Sequence, residues 1–80
     1  MVETRIAPRF CVSKAATIEF VGGCPIGCVV RNLSVTGAAI EVSDLSGIPD
    51  NFLLVMPDDG LRLHCHIVWR KDYRVGVTFD

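Results

Sequence analysis

"LRLHCHIVWR", Leu61 to Arg70, is the stretch that decides the fold. Apolar residues fall at Leu61, Leu63, Cys65, Ile67 and Trp69, alternating with Arg62, His64, His66, Val68 and Arg70. Side chains of a strand point to opposite faces with a period of two, so this pattern predicts a long strand with one face in a core. Just upstream, "DDG" (58–60) is a hairpin signal, because Asp-Gly tolerates the positive φ of tight turns. "NFLLVMP" (51–57) before it reads as a short apolar strand closed by Pro57. Downstream, "KDY" turns the chain and "RVGVTFD" (74–80) directs Val75, Val77 and Phe79 inward.

Towards the N-terminus the same reading continues. "GAAIEV" (37–42) predicts a strand with Ala38, Ile40 and Val42 on one face and Glu41 on the other. "IGCVVRN" (26–32) and "SKAATIEF" (13–20) are two more, separated by the breaker "VGGCP". Residues 1–11 are polar and charged, and Pro8 discourages helix at Ala7, so they are expected to form a flexible arm ahead of a barrel over 12–80. Six short strands about ten residues apart, with no helical period, predict one all-β domain, a barrel or sandwich. Closure into an antiparallel barrel is favoured because it removes aggregation-prone edges.

Composition bounds the function. A chain of 80 residues buries only about 60–65% of its unfolded surface, and its 50% hydrophobic content suffices for one dense core. The net charge of −1 supplies no global field for long nucleic acid. No run of 18 apolar residues occurs, and the start "MVETRIAPRF" has no apolar leader, so a cytoplasmic protein without a membrane span is expected. In that compartment Cys11, Cys24, Cys28 and Cys65 are reduced thiols. Cys24 and Cys28 form a C-x3-C without a second pair, and Cys65 points away from His64 and His66, so no metal site is expected. No nucleophile elbow or oriented base is present, and no enzyme is expected.

Two segments carry candidate binding chemistry. Arg5 and Arg9 of "RIAPRF" share one face of an extended chain, roughly 13 Å apart. Their guanidinium groups suit phosphate or the O6/N7 edge of guanine. In "NLSVTG", Asn32 and Ser34 are two apart, so both are expected to project from one face, and Gly37 allows positive φ and close backbone approach. The plainer reading makes the arginines solubilising charges and the polar knot a turn capping its own backbone.

R-x-x-x-R followed about twenty residues later by N-x-S-x-x-G at a strand junction resembles the PilZ domain family, and "CHIVWRKDYRVGVTF" resembles its closing strands. The resemblance implies a six-stranded barrel that receives the bacterial second messenger cyclic di-GMP, without catalysis or a resident cofactor. It implies that Arg5 and Arg9 hold phosphate and guanine, that Asn32 and Ser34 meet the ligand from the barrel surface, and that Gly37 keeps the loop tight. Family members often carry Asp at the position of Asn32. Thr4 stands where many relatives have another arginine, and the barrel is expected to lack the C-terminal helix common in the family. Binding would switch the interaction with an effector protein, and a homodimer is allowed. The alternative is a PilZ-like adaptor that binds protein and no nucleotide.

Overall fold

The structure is a computed structural model, and it describes residues 10–80. Six antiparallel strands close into a barrel in the order β1-β2-β3-β6-β5-β4. They are β1 (Phe10–Glu19), β2 (Ile26–Leu33), β3 (Gly37–Glu41), β4 (Asn51–Met56), β5 (Leu61–Lys71) and β6 (Arg74–Phe79). The expected all-β barrel is therefore the observed fold, and its helical content among the described residues is one 3-10 turn, Pro57–Asp59. Gly60 closes that turn at φ +65°, donating its N–H to the Pro57 carbonyl at 3.2 Å. This is the positive φ that the "DDG" signal anticipates. β1 starts at Phe10, three residues before the predicted start at Ser13, because Phe10 and Cys11 pair with Leu33 and Asn32 of β2.

The core takes Ile18, Ile40, Cys65 and Val75 from the faces expected to point inward, and β2 and β4, for which the sequence assigns no inward face, add Val30, Leu54 and Met56. Ile18, Val30, Ile40, Leu54 and Val75 are fully buried, with Met56 and Cys65 beside them. Cys65 does face inward, on the opposite side of β5 from His64. Fully burying side chains of this size is worth about 1.5–3 kcal/mol each, which carries the stability of so small a domain. Closure rests on a short seam in which β1 meets β4 through Thr17↔Val55, Ile18↔Leu54 and Glu19↔Leu53.

Two irregularities in the ladder correct the sequence reading. In β5 the register with β6 passes from Ile67↔Val77 to Trp69↔Gly76, so Val68 is an extra residue. A β-bulge re-aims everything after it. Trp69, expected inside, lies outside and is 46% exposed. Arg70, expected to point outward, turns to the barrel mouth, where its guanidinium donates to Ile48 O at 3.1 Å and Asp50 Oδ1 at 2.8 Å. Leu61, at the other end of the strand, is also 39% exposed. In β2 the register with β3 passes from Val30↔Ile40 to Asn32↔Ala39, which makes Arg31 the extra residue. Consecutive strand residues normally face opposite ways. The bulge leaves Arg31 reaching Glu41 and Ser13 on the outer surface, while Asn32 lies opposite Ala39, a residue outside the core cluster.

Candidate functional site

The "NLSVTG" segment joins β2 to β3 at the barrel end where β1 begins, since Phe10 lies opposite Leu33. Its organising residue is Ser34, the one buried polar residue among those described, at 7% exposure. Ser34 Oγ accepts the backbone N–H of Thr36 at 3.3 Å and of Gly37 at 3.2 Å. It also lies 3.3 Å from the Gly37 carbonyl and 3.2 Å from Thr36 Oγ1. A hydroxyl has two acceptor lone pairs and one donor, so these partners saturate it. The Ser34 N–H in turn donates to Gly37 O at 2.9 Å, closing a tight loop. The polar knot therefore does cap its own backbone, as the plainer sequence reading had it.

Asn32 and Ser34 do not project from one face as their spacing suggests. Asn32 stays on β2, half-buried between Cys11 of β1 and Ala39 of β3. Among the described residues its amide makes no side-chain hydrogen bond. Ser34 has left the strand and points into the loop. Gly37 is required for a different reason from the one expected. Its φ is not positive, but a Cβ there would overlap the Val77 carbonyl oxygen of β6. Gly37 thus lets β3 approach β6 closely. Arg5 and Arg9 lie outside the described residues.

The registers extend this site across the barrel. Cys11, Asn32, Ala39, Gly76 and Trp69 form one row over five adjacent strands. Ala39 and Gly76 make its low floor. The Trp69 indole lies on Gly76, where any Cβ would collide with the ring. The neighbouring row carries Glu41, Arg74 and Lys71, and with Trp69, Asp72 and Tyr73 these enclose a hollow of about 370 Å³. Reasoning from sequence missed Trp69 and Arg31 as surface residues of this face. Gly76 inside a strand was the available hint, because a strand glycine marks close approach of another group.

A larger groove of about 620 Å³ opens elsewhere, lined by the apolar Phe20, Val21, Phe52 and Leu53 together with Glu19 and Asp80. It contains no residue of the 31–37 segment and no lysine or arginine. Two acids with no lysine or arginine beside them disfavour an anionic ligand, so size does not make it the better candidate.

The thiols divide by position. Cys11 and Cys24 are exposed, while Cys28 and Cys65 are buried. Burial pushes the Cys28 thiol up to about 11 and Cys65 to about 12, the latter aided by the negative charge of Asp80. Raised thiols of this kind are neutral and poor nucleophiles. Among the described residues no three His, Cys, Asp or Glu side chains gather where they could share a metal ion. No helix there is long and apolar enough to cross a membrane.

Comparison with curated proteins finds no match. The family model of the PilZ domain, however, matches residues 3–80, a span that includes both the R-x-x-x-R and the N-x-S-x-x-G segments. With the closed six-stranded barrel, this match shows that the chain belongs to the PilZ domain family, whose members are generally binding modules for cyclic di-GMP.

Proposed function

We propose that this PilZ domain is a receptor for cyclic di-GMP, bound on the outer face of β1, β2 and β3 beside the Ser34 loop. The observation that carries the reading is the convergence of two chain segments. The loop built by Ser34 follows Leu33, Leu33 lies opposite Phe10, and Phe10 is bonded to the second arginine of R-x-x-x-R. Arg5 and Arg9 supply phosphate and guanine contacts, and Asn32 offers an amide to a base edge. Ser34 and Gly37 shape the loop. A phosphate seeking the Ser34 hydroxyl would first displace Thr36 Oγ1. Trp69, at the far end of the same row, offers an aromatic face on which a guanine can stack, worth about 1–3 kcal/mol.

Ordering the arm around a ligand costs about 1–2 kcal/mol per residue, and each charge-assisted hydrogen bond returns about 1.5–3 kcal/mol. A few such bonds plus stacking make arm closure dependent on ligand. The altered surface is then read by a protein partner.

Titration calorimetry with cyclic di-GMP tests this. Wild type should bind, and Arg9→Ala should abolish the heat while leaving the melt of the free protein unchanged. Wild-type affinity in Arg9→Ala would remove the arginine from the site. The self-satisfied Ser34 hydroxyl favours a second reading, a protein-interaction adaptor in which the motif is only structural. Absence of heat with wild type at high micromolar ligand would select that reading.

A further inference from the structure

Three of the six lysines and arginines among the described residues have an acid of their own: Lys14 pairs with Asp59, Arg62 with Glu19 and Arg70 with Asp50. Arg31 and Arg74 instead share one. Arg31 Nε lies 3.9 Å from Glu41 Oε1, and Arg74 Nε lies 3.9 Å from Glu41 Oε2. Both separations are at the outer limit of an ion pair, and all three side chains are 40–47% exposed. Such contacts are weak and screened. Lys71 lies opposite Arg74 in the ladder. On a chain of net charge −1, this strip therefore sets three cations against Glu41 and Asp72.

The strip also adjoins the site described above. The β2 bulge brings Arg31 to the outer surface next to Asn32 in sequence, and Glu41 is two residues along β3 from Ala39, the partner of Asn32. Without the bulge, Arg31 and Asn32 would face opposite sides of the sheet.

We propose that Arg31 and Arg74 form a seat for a phosphodiester, in which the Glu41 carboxylate is a resident anion that the ligand displaces. A phosphodiester, like a carboxylate, presents anionic oxygens that a guanidinium fork can grip bidentately. Glu41 holds the two guanidinium groups facing each other across β3 in the free protein, where they would otherwise repel. The same charge opposes the incoming phosphate, so Glu41 lowers affinity while keeping the seat formed. The inference rests on the cyclic di-GMP reading and assigns the contacts of a phosphate to residues outside both motifs.

The test is a titration of cyclic di-GMP into the full chain and its variants at low and high salt. Arg31→Ala should weaken binding about tenfold or more and flatten its salt dependence. Arg31→Lys should restore only part, because a point charge replaces a fork. Glu41→Gln should tighten binding about threefold, and should have no such effect in the Arg31→Ala background. Binding by wild type with Arg31→Ala unaffected, or weakened binding in Glu41→Gln, would overturn the seat while leaving the receptor reading intact. No binding by wild type would overturn both. If Arg31→Ala fails to fold, the sign of the Glu41→Gln effect decides alone.

Discussion

At Gly37 the constraint is contact rather than conformation, and that distinction can be measured. A methyl group there would meet the Val77 carbonyl, which belongs to paired backbone and cannot swing aside as a side chain would. Gly37→Ala should cost about 1–3 kcal/mol, read as a lower urea midpoint. Gly27, on β2, has ordinary φ and no heavy atom within 4 Å of a built Cβ. Gly27→Ala should stabilise by about 0.4–1 kcal/mol, through loss of unfolded-state entropy. Equal effects at the two positions would show that Gly37 has no special contact. The two buried thiols make a second residue-scale prediction. Cys28 and Cys65 stay neutral in the fold to about 11 and about 12, whereas in the unfolded chain they ionise near the ordinary 9.0. Above that ordinary value the folded state holds more protons than the unfolded state, so stability declines with rising pH. The stabilisation is fully present below 9.0 and drains as pH climbs towards 11. Urea midpoints should fall between about pH 8 and about pH 10.5, and fall less in Cys65→Val. An identical fall in that variant would assign the pH dependence to other groups.

Elements show where a period-two reading succeeds and where it stops. Along β5 the alternation holds from Leu63 to Ile67, because each step reverses the side chain and the core selects one parity. It fails at Val68, since counting residues cannot reveal that two of them oppose one on the neighbouring strand. Trp69 and Arg70 consequently exchange sides. The β2 bulge hid Arg31 in the same way, so the loop motif was legible while half of the surrounding face was not. "NLSVTG" was readable as a polar knot because its residue types are unusual for a plain turn. Which way Ser34 points depends on hydrogen bonds with Thr36 and Gly37 that spacing does not specify. Arg70 gives the bulge a measurable consequence. Its two bonds tie the 43–50 loop to β5, next to the Ile67 N–H bond to Asp50 O at 2.8 Å. Arg70→Ala should cost about 0.5–1 kcal/mol, the modest value of a half-exposed charged contact. It should also speed hydrogen exchange at Ile67 while leaving Val75 protected. Unchanged exchange at Ile67 would mean that the loop holds its place without the arginine.

For the whole molecule, the closed barrel separates stability from recognition. The core lies inside the ring of six strands, whereas the half-buried Asn32 and the half-exposed Trp69 lie on its outer side, beside the buried Ala39 and Gly76. Asn32 and Trp69 thus lie outside the core, and truncating either should leave the free protein's melting temperature near its wild-type value. A ligand bound only by the folded state adds RT ln(1 + [L]/Kd), about 2.7 kcal/mol at a hundredfold excess over Kd. In a domain of this size each kcal/mol moves Tm by about 4–8 °C. Saturating cyclic di-GMP should therefore raise Tm by more than about 10 °C in wild type. Arg9→Ala should melt at the wild-type temperature without ligand and show no rise with it. Trp69→Ala removes a side chain that is nearly half exposed and rests on Gly76, so its rise should be reduced rather than lost. A full rise in both variants would move the ligand off this face, and in the larger groove between Phe20 and Leu53 an anion would have to bind against Glu19 and Asp80.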